Sequence, residues 1–284
     1  MPPTLEVLDL SPRFLQFYAD AVAKDLDPEN RWELWKSVYG FAAVPPTPAG
    51  QVRARQLLDE AWDRYPTELD RIRRGAEGLS PEPSHELHRV AELLECETDA
   101  KLRVIVFVGG FEGNPFVADI EGMTTLSLPI EQSPEERAFM LPHEVTHVIH
   151  GINAGMAMTW ERSIARIVME EGLATRVTEK LIPGHEAERY TTDHDPELYE
   201  LCTANESEIL DSVRTCLHTS DSATVERFTM GAGAAGLSRT AYYAGWRVVG
   251  ALTAAGWSLA SLSKVPEARI PAVIDSGLDL LSSS

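Results

Sequence analysis

The chain reads as an α+β protein, predominantly helical, with a small sheet in its middle and an α-helical region ahead of it. Three observations predict this. Helical patterns opened by serine, aspartate and proline fill residues 1–98. The texture then changes to two short strand-like runs, RVIVFVGG (103–110) and GMTTLSLPIE (122–131). Long stretches of helical periodicity follow to the last residues. The 284 residues therefore divide at the change of texture into an α-helical N-terminal region, 1–98, and a domain, 99–284.

The elements follow in order. SPRFLQFYADAVAKDL opens with Ser11 as cap and Pro12 at the first helical position. DPENRWELWKSVYG repeats the device with Asp27 and Pro28, and Gly40 is its stop. After the linker PPTPAG, residues 51–78 carry apolar positions at helical spacing among many charges. SPEPSHELHRVAELLE gives one more helix. The run 103–110 is β-branched and closed by glycines, which argues for a buried strand, and 122–131 is a threonine-rich alternation ended by Pro129. Between them lies a loop or a weak extra strand. In SPEERAFMLPHEVTHVIHG, Ser133 and Glu136 form a capping-box pattern, Pro142 lies inside the span, and Gly151 is the natural stop. Helices are expected from about Trp160 to Leu181, through DPELYELCTANESEILDSVRTCLH and SRTAYYAGWRVVGALTAAG, and in the closing IPAVIDSGLDLLSSS.

Composition excludes several functions. A formal charge of −19 with no Lys/Arg-rich run argues against nucleic acid as a partner. No apolar window reaches the eighteen or so residues of a membrane span, so no membrane partner is expected. The opening MPPTLEVLDLSPRF has no basic stretch followed by an apolar one, which predicts a cytoplasmic protein without a secretion signal. Cys96, Cys202 and Cys216 are odd in number and far apart, and fit free thiols better than disulfides or a thiolate zinc cage.

The chemistry concentrates in LPHEVTHVIHG, residues 141–151. His143 and His147 share one helix face, with Cβ atoms about 5–6 Å apart. Two imidazoles so placed can converge on one ion at the ~2.0–2.1 Å of a Zn–N bond. Glu144 is rotated by about 100° from His143 and flanks the ion, in reach of a bound water. The pattern HExxH thus supplies two ligands and a general base from one turn. The plain alternative is a surface helix with incidental histidines. Against it stand Phe139, Met140, Leu141, Val145, Val148 and Ile149, which make the helix mostly buried, so that its polar groups need partners.

A third ligand must come from elsewhere. His150 lies on the same stripe, but seven residues of helix rise about 10 Å, too far for one tetrahedral ion, and this makes His150 a supporting or structural residue. On the helix 160–181, residues Trp160, Ile164, Ile167, Val168, Ala174 and Thr175 cluster on one side; Glu171 points along it and Glu170 lies at its margin. A buried carboxylate needs a metal or a cation. Glu171 is the candidate ligand, with a core ion pair to Arg166 or Arg247 as the alternative.

HExxH followed by Glu171-Gly172-Leu173-Ala174 is similar to the gluzincin metallopeptidases. The resemblance implies zinc, with His143, His147 and Glu171 as ligands and Glu144 as base. Residues 147 and 171 are separated by 23 others, more than in the aminopeptidase branch, whose substrate-binding motifs are missing here. The chain resembles more closely, over roughly residues 100–280, a largely bacterial family of predicted zinc-dependent proteases. That family follows the EGLA helix with a GYYxGYxIV-like helix; here it reads AYYAGWRVV (241–249), with Ala241 where glycine is usual. The fold so implied is zincin-like.

Tyr242 and Tyr243 are the candidates for a donor to the oxyanion of peptide hydrolysis, with aromatic packing beside Trp246 as the alternative. His218, His194 and Arg247 are lesser ones. The strand 122–131 is either an edge that pairs with extended substrate or an interior strand. The expected function is zinc-dependent hydrolysis of a peptide or protein substrate. Two other functions suit the same residues: an inactive binding or regulatory module on this fold, and a metal hydrolase of a small amide or ester.

Overall fold

A computed structural model describes residues 4–44, 47–98, 101–113, 115–159, 161–192 and 195–282. Trp160 and His194 lie outside them. The described residues are mostly helical, with fourteen α-helices and one small mixed sheet, an α+β arrangement. Packing groups Pro3–Glu86 with Lys101–Leu141 in one compact unit, and Leu87–Ala100 with Pro142–Ser284 in another, so it divides the chain differently from the change of texture at residue 98.

The first unit holds the sheet. Its strands are β1 (Thr4–Asp9), β2 (Lys101–Phe107), β3 (Phe116–Ile120) and β4 (Met123–Pro129), in the order β1-β2-β4-β3. β1 runs parallel to β2 with Val7 opposite Val104; β2 runs parallel to β4, and β3 closes on β4 as an antiparallel hairpin. β1 corrects the expectation of helices alone before residue 98. Four consecutive residues of β2, Val104–Phe107, are buried, the pattern of a strand covered on both faces. β4 is paired on both sides, so it is interior to the sheet, and the edges are β1 and β3.

Helices α1 (Ser11–Ala23), α2 (Pro28–Val38), α3 (Pro48–Ala61) and α4 (Tyr65–Arg74) belong to the same unit. Asp27 caps α2 by accepting from the Asn30 N–H at 2.9 Å. α1 is capped differently from the expectation: Leu10 is its N-cap, and the Ser11 N–H donates to Asp9 Oδ1 at 2.8 Å. The stretch 51–78 breaks into α3 and α4 ahead of Pro66, which sits in the first turn of α4. α5 (Pro83–Leu93) and α6 (Pro134–Ala154) each carry residues of both units.

The second unit is helical: α7 (Ile164–Leu181), α8 (Ala187–Thr191), α9 (Pro196–Ala204), α10 (Glu206–Cys216), α11 (Ser222–Thr229), α12 (Thr240–Ala254), α13 (Leu259–Ser263) and α14 (Ile270–Ser282). α7 is its central rod. Every residue from Ile164 to Thr178 except Arg176 is buried, so α7 is enclosed on nearly all sides rather than along one stripe. Ile167, Val168 and Leu173 of α7, Val248, Val249 and Leu252 of α12, and Ile274 and Leu278 of α14 form one apolar core. Each such side chain contributes about 1.5–3 kcal/mol by leaving water. The buried hydroxyls of α7 are satisfied within the helix: Thr178 Oγ1 donates to the Ala174 carbonyl at 2.9 Å.

Two glycines bring α7 and α12 unusually close. A Cβ on Gly172 would stand 2.4 Å from the Gly245 carbonyl oxygen, and one on Gly245 would stand 2.5 Å from the Val168 carbonyl oxygen. No other residue type fits at this crossing without moving backbone.

Candidate metal centre

α6 positions the first half of the site. Ser133 Oγ accepts from the Glu136 N–H at 3.1 Å and Glu136 Oε2 accepts from the Ser133 N–H at 2.9 Å, which closes the expected capping box. The helix continues through Pro142, whose carbonyl accepts from Thr146 Oγ1 at 2.7 Å. It also runs past Gly151, the expected stop, to Ala154, where Gly155 with φ +66° ends it. Unbroken helix from residue 143 to 147 turns both imidazoles to one side, with ring centroids 4.9 Å apart. Ligand atoms of His143, Glu144 and His147 all lie within 4.8 Å of one another, the one such convergence among the described residues.

α7 supplies the second half. Glu171 Oε2 lies 3.2 Å from His143 Nε2 and 3.6 Å from His147 Nε2. Two donors bound tetrahedrally at about 2.0–2.1 Å stand about 3.3 Å apart, so both spacings suit a shared ion. Hydrogen bonding alone accounts for less, because 3.6 Å is too long for one. The set of two imidazoles and a carboxylate, all largely buried, is the donor chemistry of a catalytic zinc site with a fourth position open. The residues fit the ion.

Neither arginine of the ion-pair alternative reaches Glu171. Arg166 Nε donates to Glu170 Oε1 at 2.6 Å, and Arg162 Nε donates to Glu170 Oε2 at 2.6 Å. Arg247 pairs with Glu206. The two adjacent glutamates thus divide the work: Glu170 holds two guanidinium groups and Glu171 faces the histidines.

The electrostatics agree with this division. Burial alone would raise Glu171, but the His147 and His143 imidazoles outweigh it and hold its carboxyl at about 2. Burial pushes Glu144 up to about 7 against the pull of His143. Burial lowers His147, whereas at His143 the hydrogen bond and charge of Glu171 overcome burial and raise it. His150 is 1% exposed, is lowered to about 4 by burial, and neither ring nitrogen reaches a protein partner.

α12 brings the two tyrosines to different places. The Tyr242 ring lies parallel to that of His143, 14° between planes and 6.2 Å between centroids. Tyr243 is buried in the helical core, where its hydroxyl donates to Glu206 Oε2 at 2.6 Å. It does not join the histidines. His218 is exposed.

Nothing matches the chain among family models, curated proteins or solved structures.

Sequence reasoning overlooked Arg239. This residue is the N-cap of α12 in the left-handed conformation, φ +55° and ψ 25°. Its guanidinium carbon stands 4.0 Å from the Tyr242 ring centroid, and its charge acts on Glu144 and His143. The only signal in the sequence was its place three residues before Tyr242, one helical turn away.

Proposed function

We propose that the protein is a zinc-dependent peptide hydrolase of the gluzincin kind on a zincin-like fold. One observation carries this: a single carboxylate oxygen of Glu171 lies within ion-sharing distance of both imidazole Nε2 atoms, with Glu144 beside them. His143, His147 and Glu171 would hold the ion. Zinc in such a site supplies Lewis-acid polarisation of a carbonyl and a water of lowered pKa. A closed structural zinc would call for thiolates, and Cys202 is instead part of the apolar core.

The chain's own groups divide the remaining chemistry. Glu144, buried and with its carboxyl raised towards neutrality, accepts a proton from the attacking water at a carboxylate oxygen. The same proton then passes to the leaving nitrogen as the C–N bond breaks, so water and peptide become a carboxylic acid and an amine. Tyr242 keeps its phenolic proton, because burial and the nearby Glu171 charge raise it. Of the two tyrosines it is the one whose ring lies beside His143, and its hydroxyl would donate to the oxyanion that forms on the former carbonyl.

Metal content by mass spectrometry and hydrolysis of a mixed peptide library test the reading together. One zinc per chain and turnover are expected of the wild type. Glu144→Gln should retain the zinc and lose turnover by a factor of roughly a hundred or more. A zinc-free wild type sinks the metal site. A zinc-loaded but inert wild type leaves the binding module, and activity confined to small amides or esters leaves the third function.

A further inference from the structure

We propose that Arg239 binds the free C-terminal carboxylate of the substrate, so that the centre removes single residues from peptide C-termini. This rests on the hydrolase reading above and names its substrate class.

The site holds an unsatisfied cation in an acidic protein. The chain holds 44 acidic side chains against 25 lysines and arginines, and the cations around the site are taken. Arg162 and Arg166 share Glu170, Arg176 pairs with Glu179, and Arg247 pairs with Glu206. Arg239 is different. Among the described residues its guanidinium makes no ion pair and no hydrogen bond, and its Nε is buried without a partner. A half-buried guanidinium with all its donors free is set to receive an anion.

The backbone and the neighbouring ring hold it in place. An arginine at φ +55° occupies a left-handed conformation that side-chain-bearing residues rarely adopt. Here that conformation starts α12, and Tyr242 lies one turn on with the guanidinium over its ring at 4.0 Å. The cation–ring contact holds the guanidinium over Tyr242, and its planar fork suits the two oxygens of a carboxylate.

The distances suit one residue of substrate. The guanidinium carbon is 4.0 Å from the Tyr242 centroid, which is 6.2 Å from the His143 centroid. Laid end to end, these place Arg239 at most about 10 Å from the His143 ring. A residue spans about 3.8 Å, and an arginine–carboxylate pair adds about 4 Å between carbons. A carbonyl at the metal and a carboxylate one residue later therefore fall within reach of the two groups. A peptide running on past that residue brings an amide to the guanidinium and leaves its charge unanswered.

Mixed pentapeptides with an N-terminal fluorescein, made as free acids and as C-terminal amides, test the proposal in two ways. Fluorescence polarisation on the metal-free protein reads binding alone. The acids should bind about tenfold or more tightly than the amides, and Arg239→Gln should abolish the difference while Arg239→Lys restores part of it. Hydrolysis by the zinc-loaded protein should release single amino acids from the acids. Arg239→Gln should raise KM on them about ten- to hundredfold and lower kcat less than threefold. Equal binding of acids and amides by the wild type overturns the proposal, as does a loss of kcat that is the same on both pools, which is the mark of an oxyanion-stabilising group. Cleavage of neither pool by the zinc-loaded wild type removes the hydrolase reading, while the polarisation result still decides whether Arg239 reads a carboxylate.

Discussion

Glu170 and Glu171 are adjacent and equally buried, yet one is neutralised by two arginines and the other faces two imidazoles. The helical wheel put Glu171 among the apolar positions of α7, but with that helix buried on nearly all sides, partners rather than burial separate it from Glu170. His143 and His147 were legible, since a spacing of four is itself a statement about geometry. Arg239 was not legible. Its importance depends on a left-handed backbone and a ring stacked one turn on, neither of which a residue pattern encodes. Glu131 is another buried carboxylate. Glu131 accepts from the Gly109 N–H at 3.0 Å, yet burial pushes it up to about 7 from an ordinary 4.5. In the folded protein it stays protonated to higher pH than in the unfolded chain. Its contribution is therefore complete below about 4.5 and is lost as pH rises through about 7, by at most about 3 kcal/mol. Glu131→Gln should flatten the fall in stability between pH 5 and 8, measured by urea denaturation at each pH. An unchanged slope removes Glu131 as its source.

Elements carry the site through the crossing of α7 and α12. The glycine of the EGLA stretch has a physical reason here: Gly172 abuts Gly245, and a methyl group on either meets backbone at about 2.5 Å. Alanine gains about 1 kcal/mol of helix propensity over glycine, but overpacking against backbone costs about 1–3 kcal/mol or more, so the clash wins. Gly172→Ala should lower stability by about 2 kcal/mol and weaken zinc binding as well, because Glu171 is its neighbour. Thermal unfolding and a competition titration with a zinc chelator read the two effects; full stability with full affinity contradicts the crossing as drawn. At this scale the sequence was legible where partners are local. Capped helices such as α2 and the strand β2 were readable, whereas β1 was missed. TLEVLD is short, a third of it charged, and its partner strand begins at residue 101. Pairing over that separation leaves no local trace.

At the scale of the whole chain, the predominance of helix and the single small sheet could be read from period and texture. The grouping into packed units could not, because it joins segments such as Pro3–Glu86 and Lys101–Leu141 across an intervening stretch. No helix among the described residues is long and apolar enough to cross a membrane. Ion binding should act on the stability of the entire protein. At a free zinc concentration a hundred times Kd, a ligand held only by the folded state adds about 2.7 kcal/mol. The melting temperature should therefore rise with zinc and fall with EDTA in the wild type, and should ignore both in Glu171→Ala. A wild type indifferent to zinc contradicts the site.

Glu171 precedes one of the paired glycines and Tyr242 lies three residues before the other, so a single point of touch sets the aim of both groups. That makes position 245 a tuning screw. Alanine and then serine there would meet only backbone, the Val168 carbonyl oxygen and Gly172, so no trimmed side chain can compensate; the two helices would part by fractions of an ångström and carry Glu171 with them relative to His143 and His147, with those three residues left as they are.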